Sequence, residues 1–300
     1  MMDLTLRDLE YVEMIAQERS ITRAAARLHM AQPALSQSLQ RIERRLAVRL
    51  FERSSRHLAP TPAGEVLAAE ARDILASVQQ AVVRTRVAGG LPEVLRVHVS
   101  ESSLITPRRI LAAARAHVPG AAIHQTTLPR RDVAENLLNG ELTLAVAGSI
   151  RGAGLQSIKI RDERIGVLVS ERHPLARSEL VEPAQLAGHP VLSIDPEMSS
   201  WDAWVTSYLG DHGVAARWSK EVVFGLSTGS DVLHDADTVM LTLESVGRDH
   251  LDGLVWRPMS PARSVPWFLT YREDSLRDSP AVAAVLRVVR RLAHDQGWTA

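Results

Sequence analysis

Gly225-Leu-Ser-Thr-Gly229 sets a serine between two glycines, the pattern of a nucleophile elbow. Asp235, Asp237, Asp249 and His250 follow, in the serine, acid, histidine order of a hydrolase. A serine hydrolase using Ser227 is therefore one reading of the chain. Against it, the pattern is only five residues long and no glycine-rich oxyanion loop precedes it. His234, Asp235 and Asp237, with Asp231 nearby, are metal-ligand types, but this spacing also suits the polar end of a helix, and no metal site is expected. His98, His117 and His124 stand singly and read as structural. Trp201, Trp204 and Trp218 offer flat faces to an aromatic ligand, although core or inter-lobe roles come first.

A second group of residues suits nucleic acid. Gln32, Ser36 and Gln37 sit at the start of an amphipathic segment, where amides and hydroxyls can exchange hydrogen bonds with base edges. Arginines follow them, able to hold phosphates and set the register. The chain as a whole balances 35 basic against 35 acidic residues. Between Arg19 and His57, however, nine arginines face two glutamates, whereas Leu91 to the end carries 22 basic against 25 acidic residues. A local positive patch on a neutral chain is the electrostatic footprint of a nucleic-acid interface.

The elements needed to position these residues can be read from periodicity. Leu4–Glu18 reads as one helix, and Ser20 caps a second, Ile21–Leu28, whose Ala24, Ala25 and Ala26 allow close packing. After a break at His29–Ala31, Pro33 suits the first turn of a third helix. Leu35, Leu39, Ile42 and Leu46 give that helix one buried stripe. These are the parts of a helix-turn-helix. Residues 49–61 read as a wing that places Arg53 and Arg56 against phosphates. A long helix then runs from Pro62 or Ala63 to Val87, with Leu67, Ala71, Ile74, Val78 and Ala81 as a heptad-like seam for a second copy. Ala88-Gly-Gly-Leu-Pro92 breaks it as a hinge. Beyond the hinge, strands at 94–100, 122–127, 142–147, 164–170, 191–195, 238–242 and 266–271 alternate with helices at 108–117, 131–139, 201–212, 228–235 and 280–296. This is an α/β pattern with a largely parallel sheet. Ligands bind beyond the carboxyl ends of such strands. The ends place Ser100, Ser102, Ser103, Thr126, Thr127, Ala147, Asp195, Val223 and Phe224 at a cleft.

The segments SITRAAARLHMAQPALSQSLQRIERRL and RLFERSSRHLAPTPAGE resemble the LysR-type transcriptional regulators, with weaker echoes through residues 141–145 and 173–176. The resemblance implies an N-terminal winged helix-turn-helix (1–62), a linker and dimerisation helix with its hinge (63–92), and an effector-binding domain (93–300). The last would be a two-lobed, periplasmic-binding-protein-like (type II) α/β module, with lobe I at 93–162 plus 267–300 and lobe II at 163–266. Carried over by position, Gln32, Pro33, Ser36 and Gln37 face bases, while Arg23, Arg41, Arg53, Arg56 and Thr61 meet phosphates. The implied partners are an inverted-repeat promoter, a second copy or a dimer of dimers (a homotetramer), RNA polymerase, and a small-molecule effector between the lobes, with no cofactor. A regulator whose effector module is vestigial or binds a protein is the other reading.

Three places depart from the family pattern. Ala31 stands where a Ser or Thr is usual, Thr143 replaces a common acid, and residues 231–244 lack the usual glycine-rich turn. The absence of cysteine excludes disulfides and a thiol-based peroxide sensor. No apolar run approaches a membrane span, and the N-terminus is too charged for a secretory signal, so a cytoplasmic protein is expected, and the resemblance implies a regulator that is not an enzyme.

Overall fold

The computed structural model describes residues 4–53, 58–100, 104–223, 230–234, 237–248 and 252–298. The chain divides into two units, Met1–Leu91 with Leu138–Gly140, and Pro92–Leu137 with Glu141–Ala300.

In the first unit, α1 (Leu6–Glu18) starts at a capping box in which Thr5 and Asp8 satisfy each other's backbone N–H. Helix α2 (Ile21–Arg27) is capped by Ser20, and α3 (Gln32–Leu46) follows with Pro33 in its first turn. Leu35, Leu39 and Ile42 are almost wholly buried with Val12 and Ile15 of α1. Each such side chain contributes about 1.5–3 kcal/mol relative to exposure. Strands β1 (Phe51–Arg53) and β2 (Leu58–Pro60) pair antiparallel as the wing, and α4 (Pro62–Ala88) closes the unit. The start of α4 passes so near the backbone just before β1 that a Cβ on Gly64 would lie 2.0 Å from the Leu50 carbonyl oxygen. Only glycine fits there.

The second unit is built on one continuous sheet in two halves. In the first half β3 (Glu93–Val99) lies between β4 (Ala121–Thr126) and β5 (Leu144–Ala147), all parallel. Helices α5 (Ile105–His117) and α6 (Arg130–Leu138) make the crossovers. In the second half β7 (Pro190–Ile194) lies between β8 (Arg217–Val223) and β9 (Val239–Leu243), again parallel, with α7 (Trp201–Gly210) between β7 and β8. The halves are joined by β6 (Leu155–Ser170), antiparallel to β11 (Ser264–Arg272) along its first part and to β9 and β10 (Leu254–Pro258) along its second. Strand β11 also pairs antiparallel with β5, and α8 (Pro280–Asp295) buries an apolar stripe that includes Val282, Val285, Leu286 and Val289.

The largely parallel sheet expected from the sequence is thus a mixed one. Both outer portions are parallel, but every pairing of β6 and β11 is antiparallel. Strand β6 begins at Leu155 rather than Arg164 because one face of its first part is open and polar, so no apolar run marks it. Strand β10 and most of β8 were also absent from the sequence reading. The expected helix 228–235 lies largely outside the described residues, which retain a single 3-10 turn at Asp231–His234.

Where β6 changes partners, Glu163 is completely buried. Its carboxylate accepts hydrogen bonds from the Trp267 indole (2.7 Å), the Ser245 backbone N–H (2.8 Å) and the Thr106 hydroxyl (3.1 Å). These donors come from β11, from the turn after β9 and from α5, so one side chain ties both sheet halves together. Removing it strands several buried donors, each costing about 1–3 kcal/mol. Glu163→Ala is therefore expected to lose about 3 kcal/mol or more in denaturant unfolding, with Glu163→Gln losing less because the amide keeps one acceptor.

Candidate functional site

On helix α3 the residues expected to read DNA lie together on one open side. Gln32, Pro33 and Gln37 are exposed and Ser36 partly so, on the side opposite the Leu35–Leu39–Ile42 stripe. The N-cap residue Ala31 makes no side-chain capping bond; in the first turn Pro33 has no N–H, and the Ala34 N–H donates to the Ala31 carbonyl at 3.0 Å. Arg41 is exposed and donates to the Ser38 hydroxyl at 3.0 Å.

Two expected phosphate contacts need revision. The Thr61 hydroxyl donates to the Arg49 carbonyl (2.7 Å) and accepts from the Gly64 N–H (3.1 Å). Its one proton is committed to the Arg49 carbonyl and its oxygen caps α4, so the hydroxyl already has both roles filled within the unit. Arg23 is exposed but ion-paired with Glu18 (3.0 Å), which also holds Arg27 (2.8 Å). Hydrogen bonds from Arg27 and then Arg23 hold the Glu18 carboxyl below the usual carboxylate range. Arg45 likewise meets Asp8 at 3.3 Å. Part of the positive excess counted in the sequence is therefore balanced by acids just outside that window. Exposed pairs of this kind are weak, and a phosphate can replace the carboxylate. The Arg53 side chain and all of Arg56 lie outside the described residues.

The seam expected on α4 divides in two. Ala71 is fully buried and Leu67 partly buried in the unit's own α1–α4 packing, so neither is free for a partner. Farther along, Ile74, Val82, Val83 and Val87 are 36–50% exposed, with Val78 half-buried and Ala81 exposed. The last three valines were missed in the sequence because they fall off the strict heptad.

In the second unit a cavity of about 370 Å³ opens where the carboxyl ends of β3, β5 and β7 converge beside β11. Of the residues expected there, Ser100, Thr127 and Ala147 line it. Thr126, Asp195 and Val223 do not. Thr126 lies on the edge strand β4, and the chain turns inward only at Thr127, whose hydroxyl donates to the Val99 carbonyl (3.1 Å). Asp195 closes a turn, its carboxylate accepting from the Glu197 N–H and its carbonyl from Met198 and Ser199. Val223 pairs with Ile194 but sits on the outer strand, buried in the core. Ser102, Ser103 and Phe224 lie outside the described residues.

Sequence reasoning missed much of the wall. His98, read as structural, lines the cavity and is 3% exposed. Its Nδ1 accepts from the Leu128 N–H (3.2 Å), which leaves the ring proton on Nε2. Burial first, and the neighbouring Arg130 guanidinium second, push the imidazole pKa down to about 4. Arg130, the first residue of α6, also lines the cavity and donates to the Ser149 carbonyl at 2.5 Å. Opposite them stand Ile194, Met198, Trp201, Trp204 and Met240. Asp202 anchors the start of α7 by accepting from the Ile194 N–H (3.0 Å) and the Ser193 hydroxyl. Trp201 is fixed by its own bond to the Leu241 carbonyl (2.9 Å) and stacks on Trp204, their centroids 5.0 Å apart. Trp267 belongs to the wall, whereas Trp218 is half-buried against the core.

A winged helix-turn-helix unit followed by a two-part α/β module with a cleft defines a class of ligand-controlled bacterial regulators. Residues 6–65 match the model described as bacterial regulatory helix-turn-helix protein, lysR family, and residues 88–293 match the LysR substrate binding domain. The chain belongs to the LysR family of DNA-binding transcriptional regulators, with an effector-binding domain, and is not an enzyme. The HTH-type transcriptional regulator BenM of Acinetobacter baylyi is 26% identical over 99% of this chain and 98% of its own. YnfL of Escherichia coli is 30% identical over 66% of this chain and 68% of its own. The crystal structure of full-length CbnR complexed with its target DNA shares the fold, with a TM-score of 0.57, 24% identity, and coverage of 97% of this chain and 100% of that one. The serine-hydrolase reading is set aside by this membership, and the 225–229 motif lies outside the described residues. No His/Asp/Glu group able to hold a metal occurs among the described residues.

The depressed His98 pKa fixes the sign of a pH effect. The unfolded chain binds a proton near pH 6.5, while the folded chain resists it down to about pH 4. Stability from a neutral His98 is complete above pH 6.5 and is lost as pH falls toward 4, up to roughly 3 kcal/mol. Unfolding midpoints across this range should therefore be flatter for His98→Gln than for the wild type.

Proposed function

We propose that this regulator binds an inverted-repeat promoter site as a dimer or dimer of dimers and that a small molecule in the cleft controls it. The observation that carries the proposal is the cavity itself. It is lined from both sheet halves, so a ligand filling it bears on both. A ligand that favours one arrangement of the halves shifts the population toward that state. No covalent group or metal is required, and RNA polymerase is the partner through which occupancy would reach transcription. No helix among the described residues is long and apolar enough to cross a membrane. That supports, with the DNA-binding function, a cytoplasmic location.

In this reading α3 lies in the major groove with Gln32, Ser36 and Gln37 toward base edges, and the arginines of α3 and the wing contact phosphates. Gln32→Ala should lower discrimination between operator and mutated operator by about 1–3 kcal/mol in gel-shift titrations. Arg53→Ala should weaken all duplexes alike and reduce the salt slope by about one. Unchanged sequence preference in Gln32→Ala would refute this placement. The exposed run Ile74, Val78 and Val82 is proposed as the pairing face. Val82→Asp is expected to shift the chain toward monomer in sedimentation, because a charge enters an apolar seam.

A further inference from the structure

We infer that the cleft selects a ligand with one negative charge on a flat apolar body, its acid at the Arg130–His98 end and its ring system against the indoles. This rests on the cleft being the effector site. The two walls differ in chemistry. The β3–β5–α6 wall carries the one charge, Arg130, with His98, Ser100, Thr127 and Ser149, while the facing wall is mostly thioether, aliphatic and indole, with Ser199, Ser200 and Thr242 as its uncharged polar members.

Arg130 is the only charged residue among the described residues lining the cavity. An anion entering here therefore meets a cation and, among those residues, no carboxylate. The neighbouring cation Arg131 is already paired with Glu197 at 2.7 Å and does not line the cavity. His98 adds a donor rather than a second charge, because its free ring nitrogen, Nε2, carries the proton. Leu104 also lines the cavity, and as the N-cap residue of α5 it supplies no side-chain acceptor. The partial positive end of a 13-residue helix thus lies at the same wall.

The opposite wall favours a flat partner. The N–H groups of Trp201 and Trp267 are both consumed, by the Leu241 carbonyl and the Glu163 carboxylate. Their rings consequently present apolar surface and no donor. Trp201, Trp204 and Tyr208 form a parallel stack with centroid spacings of 5.0 and 5.3 Å. Planar ligands extend such a stack, and Met198 and Met240 adapt to their outline. A volume of about 370 Å³ admits a bicyclic acid, and small-molecule sites begin near this size.

Isothermal titration of the full-length chain without DNA tests this with four probes: naphthalene-2-carboxylate, its carboxamide, the corresponding 2-naphthylmethylammonium, and hexanoate. The naphthoate should bind, the amide and hexanoate about tenfold or more weaker, and the ammonium weakest. Arg130→Gln should bring naphthoate to the level of the amide, while Arg131→Gln should leave it unchanged. The inference is overturned if the ammonium equals the acid, if Arg130→Gln has no effect, or if no naphthyl probe binds. Naphthoate that binds as expected but leaves the mobility of operator complexes unchanged would instead refute the effector reading and spare the ligand class.

Discussion

A carboxylate with no water around it must be surrounded by donors, and in this protein that requirement is met at one point. Glu163 lies on β6 where the strand leaves β11 for β9, and its bonds reach α5, β11 and the turn after β9. The local fold around the crossover is the arrangement that satisfies this charge. Within the sheet the halves are joined through β6 and its antiparallel neighbours. Glu163 sits at that junction, and Trp267, one of its donors, is also part of the cavity wall. A ligand pressing on that indole presses on the same bond network.

The cavity gains its asymmetry from this construction. One wall comes from strand ends and helix starts, where backbone donors and short polar side chains are unavoidable. The other comes from the first turns of α7 and from β9, both apolar in sequence. Burial keeps His98 neutral beside Arg130, so the polar wall holds a single positive charge and not two. The DNA-reading unit follows a different logic. Its apolar stripe is covered internally, and its polar edge is left unbonded at Gln32 and Gln37, whose value lies in what they have yet to meet.

The first unit was largely legible in the sequence because its constraints are local. The spacing of Leu35, Leu39 and Ile42 fixes which side of α3 is buried and so which side is left open. Ala31 could be recognised as an uncapped start from its side chain alone. A hydroxyl suited to phosphate, as Thr61 was read, is equally suited to a helix cap, and only the geometry of Gly64 and Arg49 reveals the cap. The cleft was far less legible. Its residues come from segments more than 150 positions apart, joined by a strand whose first part carries too many charges to look like one. Strand-end reasoning found Ser100, Thr127 and Ala147. It failed for Thr126 and Val223, which sit on outer strands, since order within a sheet is a long-range property. Met240 and the role of His98 had no sequence signal beyond residue type.

The central claim is that filling this cleft changes how the protein holds its operator. DNase I footprinting of the full-length chain, with and without saturating naphthalene-2-carboxylate, tests it directly. The account predicts a ligand-dependent change in the length or hypersensitive pattern of the footprint, absent in Arg130→Gln at the same ligand concentration. An identical footprint at demonstrated saturation would contradict it.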